Sequence, residues 1–368
     1  MDSNSVNIPD TQNQAKTHTT LITGGAGFIG TNLADALLSE GKSVIIYDNL
    51  SRDGVEKNLE WLRNKHTSNL RIEIGDVRDE RALRNAVNAA DAVYHFAAQV
   101  AVTTSCTDPL MDFEVNARGT INLLEAIRLS EKQPPLVFTS TNKVYGGLED
   151  LKVVLKGDRY EPEDAAIAAA GVSEARNIDF HSPYGCSKGA ADSYILDYAR
   201  TFGLKAVVFR MSCIYGPHQF GTEDQGWIAH FLISALEGKP LTIFGDGKQV
   251  RDILYVEDLV RAMKIAQEKM SVLTGRAFNI GGGVENTISL LELLKIIEEM
   301  HGEPLDADFG DWRPGDQKYY VSDIQKFCSE GEWRPSVGAY QGINNLYEWL
   351  ASFRNIPIDK KLYSRQSI

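Results

Sequence analysis

Short apolar or β-branched runs alternate along this chain with longer stretches in which apolar residues recur every three or four positions. Thr20–Thr23, Ser43–Tyr47, Leu70–Ile74, Ala92–Phe96, Leu136–Ser140, Ala206–Arg210 and Ala277–Ile280 read as strands. Between them lie helical patterns. Phe28, Ile29, Leu33, Ala36 and Leu37 share a face, and Gly41 stops that helix. A polar helical stretch ends near His66, and Arg78–Ala90 follows. Asp112–Glu131 places Val115, Leu123, Leu124 and Ile127 inward, and Tyr184–Phe202 is long. Ser289-Leu-Leu-Glu292 is a capping box that opens Leu290–His301, with Gly302 as its stop. Alternation of this kind predicts an α/β fold: a doubly wound parallel sheet covered by helices.

The 368 residues allow two domains, or one large α/β domain with a lobe. The predicted division is a polar tail over 1–18, a nucleotide-binding domain over 19–212 to which strand 276–282 returns, a mainly substrate-binding lobe over 213–355, and a tail over 356–368. Gly147–Asp179 interrupts the first domain. It is long and Ala-rich, and reads equally as a surface excursion or as a flap beside a substrate.

A net charge of −12 argues against nonspecific nucleic-acid or anionic-membrane binding. No apolar run reaches membrane-span length, and the polar first residues lack the apolar core of a signal peptide, so a cytoplasmic protein is expected. Cys106, Cys186, Cys213 and Cys328 are scattered without metal spacing and are expected to be reduced and buried; no metal site is predicted.

Candidate chemistry starts where the first strand meets its helix. Gly24, Gly27 and Gly30 (with Gly25 in a second register) form a glycine turn between strand and helix. Such a turn lets a pyrophosphate approach the backbone and the helix N-terminus. The second strand ends on Asp48, positioned to accept from an adenosine ribose and to repel a 2′-phosphate, which favours NAD over NADP. Arg52 nearby reads as a solvated loop charge. Tyr184 and Lys188, at i and i+4, share a helix face, so the ammonium is expected to lower the phenol toward a usable base. Thr141, at the carboxyl end of the fifth strand, could share a proton with Tyr184. Arg251 and Arg313 are candidate diphosphate clamps, each with an alternative reading as an ion pair with Asp252 or Asp316.

Taken together, Gly-Gly-Ala-Gly-Phe-Ile-Gly30, Asp48, Gly75-Asp-Val-Arg78, His95-Phe-Ala-Ala98, Ser140-Thr-Asn-Lys-Val-Tyr-Gly146, Tyr184-x-x-x-Lys188 and Arg313-Pro-Gly-Asp316 resemble the extended short-chain dehydrogenase/reductases over about Thr19 to Trp349. The resemblance implies a Rossmann-type domain with bound NAD and a smaller C-terminal α/β lobe for a nucleotide-diphosphate sugar. It implies cofactor contacts from Gly24, Gly27, Phe28, Ile29, Gly30, Asp48, Asn49, Asp76, Val77, Ala97, Ala98, Gln99, Tyr184 and Lys188. Catalysis falls to Thr141, Tyr184 and Lys188. Substrate contacts fall to Thr141, Asn142, Lys143, Gln219, Arg251 and Arg313. Asn116 resembles the family's buried helix asparagine, and a homodimer through two long helices is implied. Sugar 4,6-dehydratases carry Asp-Glu after the catalytic Thr, where this chain has Asn142-Lys143. That difference argues for oxidation and re-reduction at one carbon. With Phe180–Gly189 and Asp224-Gln-Gly-Trp227, the chain is most similar to the CDP-paratose (CDP-tyvelose) 2-epimerases. UDP-sugar 4-epimerisation and net NAD-dependent reduction or dehydrogenation are the alternatives. His218 stands where relatives commonly have Arg, which affects the expected sugar or phosphate contacts.

Overall fold

Seven parallel strands form the central sheet of the computed structural model, which describes residues 18–313 and 316–358. They are β1 (Thr19–Thr23), β2 (Ser43–Asp48), β3 (Leu70–Ile74), β4 (Ala92–His95), β5 (Leu136–Thr141), β6 (Ala206–Met211) and β7 (Arg276–Ile280). Their spatial order is 7-6-5-4-1-2-3. Adjacent β1 residues face opposite sides, so Leu21 and Ile22 enter different cores. Ile22, Ile46, Val137, Val207 and Phe278 pack under helices Phe28–Ser39 and Val256–Glu268. Leu21, Ile45, Val93, Phe138 and Val208 pack under Glu80–Asn88, Gly119–Leu129 and Ser182–Phe202. Apolar on both faces, the strands read as continuous hydrophobic runs. The order reverses between β1 and β4, and ligands of such sheets lie at that crevice, outside the carboxyl ends.

The smaller lobe is organised on strand Val250–Tyr255, which pairs with Cys213–Tyr215, Thr287–Ser289 and Tyr319–Tyr320. Helices Trp227–Glu237, Leu290–His301 and Ala339–Arg354 close its core. The Ser289–Glu292 capping box forms as the spacing requires. β7 lies in the central sheet beside β6. The expected tails, except His18 and residues 356–358, fall outside the described residues.

Three local expectations need correction. The helix expected over Asp112–Glu131 is interrupted. Pro109–Phe113 leads into a π-turn over Glu114–Arg118 before Gly119–Leu129 continues. The turn coincides with Asn116, whose side chain is engaged at both ends. It accepts from Gln99 N at 2.9 Å and donates toward Gln99 O, Asp112 and Ser187. Of the four free thiols only Cys328 is buried, while Cys106 and Cys186 are exposed because both sit on outward helix faces.

Third, the segment 147–179 is neither a loose excursion nor a flap. It folds as a hairpin, Val153–Lys156 against Arg159–Pro162, then a short helix Ala165–Ala170 capped by Asp164. Tyr160 Oη donates to Asp246 at 2.6 Å, Arg159 donates to Thr287 Oγ1 at 2.6 Å, and Glu174 accepts from Asn279 N at 2.7 Å. These contacts strap the small lobe to the carboxyl edge of β7, away from the cleft.

His95, at the end of β4, illustrates how buried groups tie stability to pH. Its Nδ1 lies 2.6 Å from Thr23 Oγ1 and its Nε2 3.1 Å from Thr120 Oγ1. Burial, with Lys188 nearby, lowers it from the ordinary 6.5 to about 3. The unfolded chain therefore takes up a proton that the folded chain refuses, and stability falls as pH drops through 6.5 toward 3. From about pH 7 to about pH 5 this group alone should remove about 2 kcal/mol. Urea melts at both pH values should show that share of the loss disappearing in His95→Gln.

Candidate active site

One cleft of about 350 Å³ runs from the glycine turn to the small lobe. Gly24 leaves β1 with φ +68°, and a Cβ there would stand 2.6 Å from Ala97 N. A Cβ on Gly30 would meet Gly24 O at 2.5 Å. Helix Phe28–Ser39 thus starts pressed against the strand end, and its N-terminus has no side-chain cap. The uncapped amide groups face the cleft that Gly24, Gly27, Phe28, Ile29, Gly30 and Ala98 line. This cradle suits a pyrophosphate. Asp48 steadies it, its carboxylate accepting from Ala26 N at 3.0 Å and Leu50 N at 2.9 Å. Arg52 is exposed in the loop after Asp48, as expected, and from there also lines the cleft.

The chemical end is built from β5 and the long helix. Thr141 closes β5 beside Met211 of β6. Its Oγ1 then caps the following turn by accepting from Lys143 N at 3.2 Å. Helix Ser182–Phe202 is held behind it, with Tyr184 N donating to Ser105 Oγ at 3.1 Å. Tyr184 and Thr141 stand together on the cleft wall, and the Thr141 hydroxyl favours ionisation of the phenol. Thr141, Asn142, Lys143, Tyr184, Lys188 and Gln219 all line the cleft, so residues far apart in sequence meet there.

The electrostatics differ from expectation. Lys188 Nζ donates to Thr139 O at 2.7 Å and stands 4.2 Å over the Phe138 ring. Burial pushes the Tyr184 phenol up to about 12, with the Thr141 hydroxyl pulling the other way and Asp112 adding to the rise. Burial also brings Lys188 down to about 7, against the pull of Asp192 and Asp112. Desolvation outweighs the pairing that the i, i+4 spacing suggested: Lys188 is buried with its ammonium turned onto a carbonyl, and Tyr184 is half-buried on the cleft wall. Lys143 is likewise lowered to about 8, mainly by burial and then by Arg251.

Several expected site residues stand back from the cleft wall. Asp76 is occupied by Arg78 and by Asn49, whose Nδ2 lies 2.9 Å away. Val77 is buried under Gly119. Ala97 N donates to Thr23 O, and Gln99 is held by Asn116 and Ala101. Arg251 pairs with Asp316 at 2.6 Å, not with Asp252, which instead accepts from Ser212 and Gly283 N. Arg313 pairs with Glu223 and Asp224, not with Asp316, and stacks 3.8 Å over Phe244. His218 is not among the residues that line the cleft. It packs between Trp61 and Trp349 with Nδ1 3.2 Å from Asn58 Oδ1, so it joins the lobes rather than touching sugar or phosphate.

Ser140 and Trp227, read in the sequence only as parts of the resemblance motifs, and Cys213, read only as a scattered thiol, also stand on the cleft wall. Ser140 Oγ and Gln219 Oε1 are buried without a hydrogen-bond partner among the described residues. Buried polar atoms normally find partners, and these two on a cleft wall suit a hydroxyl-rich ligand.

Fold and site together define a Rossmann-type dinucleotide-dependent protein with a Tyr–Lys–Thr centre and a second lobe over its cleft. The NAD dependent epimerase/dehydratase family matches residues 20–281, and the chain belongs to that family. Its cofactor is NAD. The chain is 46% identical, over 90% of its length and 99% of the relative's, to the CDP-paratose 2-epimerase of Salmonella typhi. It superposes on the Thermus thermophilus UDP-glucose 4-epimerase complexed with NAD with a TM-score of 0.75 and 32% identity, covering 90% of this chain and 98% of that one. The Bacillus cereus UDP-glucuronic acid 4-epimerase, in complex with UDP-glucuronic acid and NAD, gives a TM-score of 0.77 at 29% identity, covering 91% and 99%.

Proposed function

We propose that this chain is a nucleotide-sugar epimerase that inverts C2 of a CDP-hexose. The observation that carries the reading is the identity of the cleft wall after Thr141. Asn142 and Lys143 stand there, so the hydroxyl has no adjoining carboxyl pair to drive elimination. Likeness to the Salmonella typhi 2-epimerase supports the carbon and the nucleotide.

Held at the glycine turn by Gly24, Gly27 and Gly30, NAD would supply a reversible hydride acceptor for the sugar carbon. The chain's own residues manage the proton. Tyr184 Oη accepts it from the C2 hydroxyl, and Thr141 shares the hydrogen bond. This leaves a 2-keto sugar whose oxygen both hydroxyls can hold until it is reprotonated. Lys188, fixed on Thr139 O and brought down to about 7 by burial, supplies a positive charge to this end of the cleft below that pH. Gln219 and Ser140 offer acceptors for sugar hydroxyls. Arg251 and Arg313, now held by Asp316 and by Glu223 and Asp224, exchange those carboxylates for the diphosphate.

We further propose a cytoplasmic homodimer. Tyr194, Phe202 and Leu129 are exposed on helices Ser182–Phe202 and Gly119–Leu129, and the thiols are free. No helix among the described residues is long and apolar enough to cross a membrane.

The test is incubation of the protein with CDP-, GDP- and UDP-sugars in D₂O, followed by NMR. Inversion at C2 of a CDP-sugar, with no solvent deuterium at that carbon and no net NADH, is expected. Stoichiometric NADH would mean net redox. Deuterium at the inverted carbon would mean proton abstraction in place of hydride transfer, and inversion of a UDP-sugar at C4 would make the chain a 4-epimerase.

A further inference from the structure

Gln317 has no exposed surface, and its Nε2 donates to Gly146 O at 2.6 Å. A backbone carbonyl only accepts, so the orientation of this amide is set: NH₂ toward Gly146, carbonyl the other way. That carbonyl accepts from Asn142 Nδ2 at 3.3 Å. Asn142 is therefore also restricted to one orientation, with its Oδ1 3.4 Å from Thr141 Oγ1. Gly146 reaches this position because the turn Asn142–Tyr145 ends there at φ +73°.

We propose that Gln317 is a positioning residue for Thr141: by holding the amide of Asn142, it decides where the Thr141 hydroxyl sends its hydrogen. The inference rests on the proposed role of Thr141 and Tyr184. A hydroxyl has one hydrogen and two lone pairs. One lone pair of Thr141 Oγ1 receives Lys143 N–H, and the hydrogen goes to Asn142 Oδ1. Tyr184 stands on the same cleft wall and feels the Thr141 hydroxyl; with the Oγ1 hydrogen committed to Asn142, the phenol can meet Thr141 only as a donor to the remaining lone pair. When Tyr184 ionises, the Thr141 hydrogen turns from Asn142 to the phenolate oxygen. At 3.4 Å the hydrogen bond given up is a weak one, and the turn costs little. With the Asn142 amide reversed, an NH₂ would face Thr141 and its hydrogen would point permanently at Tyr184. The phenol would then ionise more easily and be a weaker base.

The test reads Tyr184 directly. Phenolate absorbance is titrated in the NAD-bound protein, with Tyr184→Phe as the blank. In Gln317→Leu the Asn142 amide is released, and its NH₂, left facing a hydrocarbon, turns to Thr141. In Asn142→Ala the acceptor is gone. Both should move Tyr184 ionisation down by about one pH unit. The double variant should show no further shift, since the two act in series. An unmoved titration in Gln317→Leu, or shifts that add in the double variant, would overturn the proposal.

Gln317→Glu covers a fold that cannot accept leucine. Its carboxyl oxygen accepts from Asn142 Nδ2 whether protonated or ionised, so Asn142 keeps its orientation even where the contact with Gly146 O is lost. Gln317→Glu should therefore not show the downward shift of Gln317→Leu. A downward shift of the same size in Gln317→Glu would also overturn the proposal. No sugar is present, so these results stand or fall separately from the epimerisation test.

Discussion

Tyr184→Phe is expected to lose turnover by roughly 10²–10⁴-fold while keeping bound NAD and a normal melting temperature. The phenol is half-buried on the cleft wall, and its backbone N–H is held by Ser105 Oγ, so the ring keeps its place whether or not the oxygen is present. Phenylalanine removes only the proton acceptor and its interaction with the Thr141 hydroxyl. Because the phenol sits at about 12 in the protein alone, the parent enzyme should gain activity with rising pH as the phenolate fraction grows. Tyr184→Phe should lose that rise. Initial rates across pH, with cofactor content measured on the same preparations, check both points. Loss of NAD along with activity would place Tyr184 in the scaffold rather than in the chemistry.

The second large effect concerns stability. Arg210 meets Asp192 through two hydrogen bonds of 2.9 and 3.0 Å in a buried pair. Its remaining nitrogen donates to Tyr145 Oη at 3.2 Å, and Tyr145 Oη donates to Asn279 Oδ1 at 2.7 Å. Asn279 is bound in turn by Val172 and Glu174 of the strap. The chain of contacts joins the helix of Tyr184 and Lys188 to β6, β7 and the turn after Thr141. Arg210→Met leaves the Asp192 carboxylate buried without its partner, and should cost roughly 3–5 kcal/mol. The pair Arg210→Met with Asp192→Leu removes both charges and should recover most of that loss, since a buried ion pair adds little over a well-packed apolar one. Urea melts of the two variants decide. A double variant as unstable as the single one would show that the pair contributes more than the cancelling of its own desolvation. Asp192 also supports the charge on Lys188, so the double variant, though stable, should lower the pH at which Lys188 deprotonates.

Much of the fold could be read in the sequence because its signals are local. The strand of Thr20–Thr23, the glycines behind it and the apolar face from Phe28 are set by backbone preferences within a dozen residues. The capping box at Ser289 and the stop at Gly41 are equally short-ranged. The π-turn at Asn116 left no such mark, because its cause lies in partners from Gln99 and Ser187. The hairpin at 153–162 was missed for a similar reason: its strands are short, mixed in polarity and stabilised by contacts with the small lobe.

By itself the sequence determined which residue types were available and which of them shared a helix face or a strand end: the glycine turn, Asp48, Thr141, and Tyr184 one turn from Lys188. Tertiary structure alone decided that Thr141 and Tyr184 meet. It also decided that Lys188 turns to Thr139 O, that Arg251 takes Asp316 while Arg313 takes Glu223 and Asp224, and that His218 packs between two tryptophans. The physical reason is range. Spacing along a helix or strand fixes direction within one element, whereas charge partners and desolvation depend on how strands register and lobes close around a side chain.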